Sequence, residues 1–232
     1  MLSLPTEAAL PPIRFHAPHI PPATYDAVAS ALSSKHLRSG GSYSRKAKAL
    51  VSQHVGHDRV FLTNSCTSAL EISALALDLG PEDEVIVPSY TFCATATAFA
   101  RKGARIVLAD IDPATMMVTP ETLEARLTSR TRAVVVVHYG GAAAPMAAIK
   151  DLCDRHGVVI LEDAAQAFGA KQDGRAVGTC GLFAAYSFHE TKIISAGHGG
   201  ALVLNSDNSH LRERVEELLA RGTNFPAFAR GE

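Results

Sequence analysis

The chain has 232 residues, 47% of them hydrophobic and 19% charged, with a formal net charge of -1. That length can bury a real core as one large domain or two small ones, and near-neutrality gives no reason to expect nucleic acid or an anionic membrane as partner. The longest strongly apolar runs, such as AVVVV at 133–137, are far too short to span a bilayer, no basic-then-apolar start marks a secretory signal, and the scattered Cys66, Cys93, Cys153 and Cys180 point to a reducing, cytoplasmic setting without a zinc site.

Residues 1–12 are small, polar and proline-bearing and read as a flexible tail, leaving 13–232 as one domain. Pro21–Ser34 predicts a helix entered by two prolines, with Tyr25, Val28, Ala31 and Leu32 on one face. RSGGSY at 38–43 is a turn, after which Ser44 is placed to cap a second helix running to His54. From Arg59 the pattern becomes strand, loop, helix, repeated. RVFLT (59–63), EVIVP (84–88), RIVLAD (105–110), AVVVVH (133–138) and VVILED (158–163) read as strands. Helices are expected over 67–79, 93–101, 120–127 and 145–156. Continuous β-branched runs alternating with helical segments predict an α/β domain whose mostly parallel sheet is covered by helices on both faces. LFAAYSF (182–188) and ALVLN (201–205) are two further short strands, and 207–221 is a final amphipathic helix with Leu211, Val215, Leu218 and Leu219 inward.

The chemistry gathers where strands end, which in open α/β sheets is where ligands sit. After RVFLT comes Asn64-Ser65-Cys66-Thr67-Ser68, opening a helix; free amides and the helix dipole could hold an anion there, or Ser65 or Thr67 could simply cap. Phe92, after EVIVP, could stack on a flat heteroaromatic ligand or belong to the core. After VVILED stand Glu162-Asp163 and then Gln166; a carboxylate such as Asp163 could keep a pyridine nitrogen protonated, or cap a following helix. His138 reads as a structural histidine, and Asp110 and Asp112 as turn residues. The pairs His16/His19 and His54/His57 lack the partners of a metal site. Lys192, in SFHETKIISAGHGG at 187–200, lies between two strands; burial there would favour a nucleophilic, Schiff-base amine, against the plain alternative of a solvated loop lysine. A phosphate cradle, a stacking aromatic, a ring-nitrogen carboxylate and such a lysine, in that order, together point to pyridoxal phosphate (PLP).

TNSCTSALE, GPEDEVIVPSYTFCATATAF, VVVVHYGG, VILEDAAQAFGAKQDGRAVGTCG, YSFHETK and ARGTN also carry a family resemblance. Over nearly its whole length the chain resembles the DegT/DnrJ/EryC1/StrS sugar-nucleotide aminotransferases, which are fold type I PLP enzymes. The resemblance implies that Lys192 is the Schiff-base lysine and proton shuttle, that Asp163 pairs with the pyridine nitrogen, and that Phe92 stacks on the ring. It places Gln166 near the ring's phenolic oxygen, and Cys66, Thr67 and Ser187 at the phosphate, partly through the backbone at 66–67. It further implies transfer of an amine from glutamate to C4 of a dTDP-linked 4-keto-6-deoxy sugar, by a homodimer. Where relatives usually have Asn after the lysine and Glu between the glycines, this chain has Ile193 and His198. Family members also continue into a small C-terminal domain beyond the point where this chain stops, so it is expected to be the large domain of such an enzyme. Two alternatives follow: a PLP-dependent keto-sugar dehydratase, although those carry histidine in place of the lysine, and a truncated large domain that binds ligand with little or no turnover.

Overall fold

The structure is a computed structural model that describes residue 13, residues 16–220 and residues 222–223; the expected tail, 1–12, lies outside the described residues. The β-branched runs become β1 (Val60–Thr63), β2 (Glu84–Pro88), β3 (Arg105–Ala109), β4 (Thr131–Val137) and β5 (Val159–Asp163). A hairpin of two-residue strands follows, β6 (Lys171–Gln172) and β7 (Arg175–Ala176), which the sequence reading had not anticipated. Then come β8 (Phe183–Ser187) and β9 (Gly200–Leu204). Seven of these strands form one sheet in the order β1-β9-β8-β5-β4-β2-β3. The β3/β2, β2/β4, β4/β5 and β5/β8 pairs are parallel, and β9 runs antiparallel to both β8 and β1. The mostly parallel α/β sheet is therefore present, with its one reversed strand created by the short connection from β8 to β9.

The helices are α1 (Pro22–Ser33), α2 (Ser42–Val55), α3 (Cys66–Ala76), α4 (Ala94–Ala100), α5 (Pro120–Glu124), α6 (Met146–His156) and α7 (Ser209–Leu219). Period-two alternation along the strands sends successive side chains to opposite faces. Val85, Val87, Ala133, Val135, Leu161, Phe183 and Ala185 meet α3, α4 and α7 through Leu70, Ala74, Phe99 and Val215. On the other face Ile86, Val134, Val136 and Ile160 pack on Leu123, Ile149 and Leu152 of α5 and α6. Val60, Ala184, Tyr186 and Val203 pack there on Val51 and Val55 of α2. Both faces of the sheet are thus buried, which is why its strands read as unbroken apolar runs. No helix among the described residues is long and apolar enough to cross a membrane.

Several expectations need correction. Ser44 does not cap α2: the helix begins at Ser42 behind Gly41, with no side-chain cap. Helix α1 is Pro22–Ser33 rather than Pro21–Ser34, and Tyr25, Val28 and Leu32 on its apolar face are exposed. Helix α3 stops at Ala76 rather than Leu79, and α5 at Glu124 rather than Leu127. No helix follows Asp163; the chain turns at once. Asp110 and Asp112 serve turns as expected, accepting from the amides of Ile111 and Ala114 at 3.1 and 2.9 Å.

Candidate functional site

The carboxyl ends of β1, β2, β4, β5 and β8 open on one cavity of about 520 Å³. Lys192, Asp163, Cys66, Thr67, Phe92, Gln166 and Ser187 all line it, so the structure brings every sequence-predicted site residue together. Ser65, Thr91, Tyr139, His189 and His198 line it as well. Sequence reasoning assigned no ligand-facing role to Thr91, Tyr139 or His189, whereas Ser65 stood in the possible anion-binding stretch 64–68 and His198 was a noted departure from the family pattern. Tyr139 follows directly on a strand and His198 interrupts the glycine turn, and those positions were the available signals.

Strand parity decides which carboxylate faces the cavity. Leu161 and Asp163 lie on the α3 side of the sheet, and Glu162 points to the opposite side. Asp163 is 6% exposed and accepts from three elements: Thr95 Oγ1 of α4 donates to Oδ2 at 2.7 Å, the Ala165 amide to Oδ1 at 3.1 Å, and the Cys66 thiol of α3 to Oδ1 at 3.9 Å. The Ala165 bond makes Asp163 a turn residue rather than a helix cap. Burial, then the neighbouring Asp163 charge, pushes the Cys66 thiol well above its ordinary range, against an opposing pull from Lys192. Cys66 therefore stays a thiol and a donor, and what it offers an anion at the mouth of α3 is its backbone amide.

Glu162 is a structural group. Its oxygens accept from the amides of Gly178, Cys180 and Gly181 at 3.0, 2.7 and 2.6 Å, and its Oε2 lies 2.9 Å from His138 Nε2. The Ala144 amide donates to His138 Nδ1 at 3.2 Å, so the ring proton sits on Nε2 and goes to Glu162. His138 is fully buried and satisfied, as its structural reading required.

At the start of α3, Ser65 caps by accepting from the Ser68 amide at 3.1 Å. That leaves the first-turn amides of Cys66 and Thr67 facing the cavity mouth. The approach is permitted by Gly200: a Cβ there would stand 2.4 Å from Ser65 C and 2.6 Å from Cys66 N. Gly200→Ala should push α3 away from β9 and weaken anion binding at its N-terminus at least ten-fold, with a lowered Tm. Isothermal titration with inorganic phosphate and thermal melts check this, overpacking of this kind costing about 1–3 kcal/mol.

Lys192 lies between β8 and β9, as its flanks suggested, but half-buried on the loop that joins them rather than buried. That loop continues the hairpin ladder: Phe188 N donates to Gly199 O at 2.9 Å, Ala196 N to Phe188 O at 2.9 Å and Glu190 N to Gly197 O at 3.0 Å, while Lys192 N closes a local turn on His189 O at 2.9 Å. The His189 amide also donates to Ser187 Oγ at 3.3 Å, which leaves the buried Ser187 hydroxyl proton free for a ligand. Phe92 is 72% exposed in the cavity wall, so it is not a core residue. Gln166 Oε1 accepts from the Gly140 amide at 2.7 Å, leaving its NH₂ available as a donor. Tyr90 and Tyr139 share a hydroxyl contact of 2.9 Å at the rim. Among the described residues no group of three or more His, Cys, Asp or Glu could hold a metal ion.

The model of the "DegT/DnrJ/EryC1/StrS aminotransferase family" matches residues 19–230. A curated relative, the "Pleiotropic regulatory protein" of Geobacillus stearothermophilus, is 40% identical over 184 residues, 79% of this chain and 49% of the relative. Among solved structures, DesI in the presence of its TDP-sugar product is 36% identical with a TM-score of 0.82, over 90% of this chain and 53% of that one. Spr1654 from Streptococcus pneumoniae, in its PLP form, is 25% identical with a TM-score of 0.81, over 89% of this chain and 57% of that one. The chain thus spans about half the length of the relatives it matches.

Proposed function

The chain belongs to the DegT/DnrJ/EryC1/StrS aminotransferase family, and from that premise we propose that its cavity holds PLP and serves transamination of a sugar nucleotide. The observation that carries this is the convergence of Lys192, Asp163, Phe92, Gln166, Ser187 and the amide end of α3 on one cavity. The donor set suits the cofactor. A helix N-terminus with a free hydroxyl suits a phosphate, a buried carboxylate suits a protonated ring nitrogen, an exposed phenyl suits a ring face, and an amine suits an aldehyde. A volume of about 520 Å³ falls within the usual range for small-molecule sites.

When bound, PLP supplies an aldehyde that takes up amines and a ring that delocalises the electron pair left at carbon. The chain's residues do the rest. The amides of Cys66 and Thr67, with the Ser187 hydroxyl, hold the phosphate. Phe92 would lie against the ring and exclude water from that side. The NH₂ of Gln166 would donate to the phenolic oxygen. Asp163 would keep the ring nitrogen protonated. Lys192 Nζ would serve as the acid–base group that holds and returns the substrate's proton.

The substrate proposed is a 4-keto-6-deoxy sugar linked to dTDP, giving a product such as dTDP-4-amino-4,6-dideoxygalactose, with glutamate as amino donor and a cytoplasmic homodimer as the working form. The likeness to DesI, solved with a TDP-sugar, supports the nucleotide. Titration of the purified chain with PLP should give a visible absorption band, and glutamate should convert it to the amine form of the cofactor. Incubation with a dTDP-4-keto-6-deoxyhexose should then restore the band. A band that glutamate leaves unchanged would point instead to a ligand-binding domain without turnover, and a glutamate-treated protein that releases a deoxygenated rather than an aminated sugar would point to dehydration.

A further inference from the structure

We infer that Thr95, backed by Thr91, is the positioning residue for Asp163, and that it decides which carboxylate lone pair is offered to the ring nitrogen; this rests on the assignment of the cavity to PLP. Thr95 is fully buried near the start of α4, outside the residues that line the cavity. A hydroxyl has one proton, and that of Thr95 is committed to Asp163 Oδ2 at 2.7 Å. The 2.7 Å contact between Thr95 Oγ1 and Thr91 Oγ1 must therefore have Thr91 as donor. The result is a directed chain, Thr91 to Thr95 to Asp163, from the cavity wall into the core.

A carboxylate accepts at about four lone-pair positions. The Ala165 amide and the Cys66 thiol take the two on Oδ1. Thr95 takes one of the two on Oδ2, so a single acceptor position remains, and it is on Oδ2. Donors from α4, α3 and the turn after β5 fix the plane of the group from three directions. Removal of the Thr95 hydroxyl would free rotation about the Cβ–Cγ bond and take from Oδ2 a bond that stabilises its charge.

The test uses the full chain, PLP and readouts that need no turnover. Thr95→Val, which keeps the shape and loses the hydroxyl, should raise the Kd for PLP roughly ten-fold, on the scale of one hydrogen bond to a charged group. It should also shift the pH dependence of the visible band, which a role in packing alone would leave in place. Thr95→Ser should restore both. Thr91→Val should produce a smaller change in the same direction, and it decides the matter if Thr95→Val does not fold. Wild-type binding with the Kd and pH profile unchanged in both valine variants would overturn the inference alone. Absence of PLP binding by the wild-type chain would overturn the assignment of the cavity, and the inference with it.

Discussion

Lys192→Ala is expected to abolish the visible band of the PLP-treated protein and to leave no cofactor fixed by borohydride. Of the residues lining the cavity, Lys192 alone carries an amine, and the loop that holds it is tied by three backbone bonds to the mouth of the β8–β9 hairpin. Lys171, the nearest competing lysine in the sequence, is exposed on β6 and does not line the cavity. Loss of the proton carrier by itself should lower transamination by about 10²–10⁴-fold, the usual contribution of a positioned acid–base group. Loss of covalent attachment adds to that. Peptide mapping after reduction identifies the attachment site directly, and cofactor found on Lys171 or elsewhere would sink the assignment.

The second large effect separates two adjacent carboxylates. Asp163→Asn should leave PLP bound and remove most of the activity, because an amide cannot balance a positively charged ring nitrogen and the electron sink fails. Glu162→Gln should act on the fold. Three amides and the Nε2–H of His138 converge on the Glu162 oxygens, and a glutamine can offer only one oxygen to them while its NH₂ confronts donors. A mismatch of this kind around a buried charged group costs about 3–5 kcal/mol, which for a chain of this size lowers Tm by roughly 10 °C. Thermal melts together with turnover by the surviving folded fraction distinguish the two variants. Near-full turnover in Asp163→Asn, with catalytic loss confined to Glu162→Gln, would mean the wrong carboxylate has been chosen.

That neighbours in sequence have such different work follows from the pleat, and it marks where one-dimensional information runs out. The runs EVIVP, AVVVV and VVILED determined the buried parallel strands by themselves, since only a strand covered on both faces is apolar at every position. Strand ends were equally legible, and with them the addresses of Cys66, Phe92, Asp163 and Ser187. Composition could not say whether Phe92 was core or ligand-facing, nor whether Asp163 capped a helix. Both depend on what lies opposite in space, and that was decided only when α3 and α4 packed on the sheet. Thr95 left no local signal at all. It is an ordinary helical threonine until the packing of α4 beside β5 brings its hydroxyl within 2.7 Å of a carboxylate 68 residues away. Gly200 likewise stands in the sequence only as the last residue of the glycine-rich end of 187–200, whereas the fold uses its missing Cβ to seat the N-terminus of α3 against β9. Contacts of that kind are made between elements distant in the chain, so the sequence determined the strands and their functional ends, and only tertiary packing decided which side chain on each end faces the ligand.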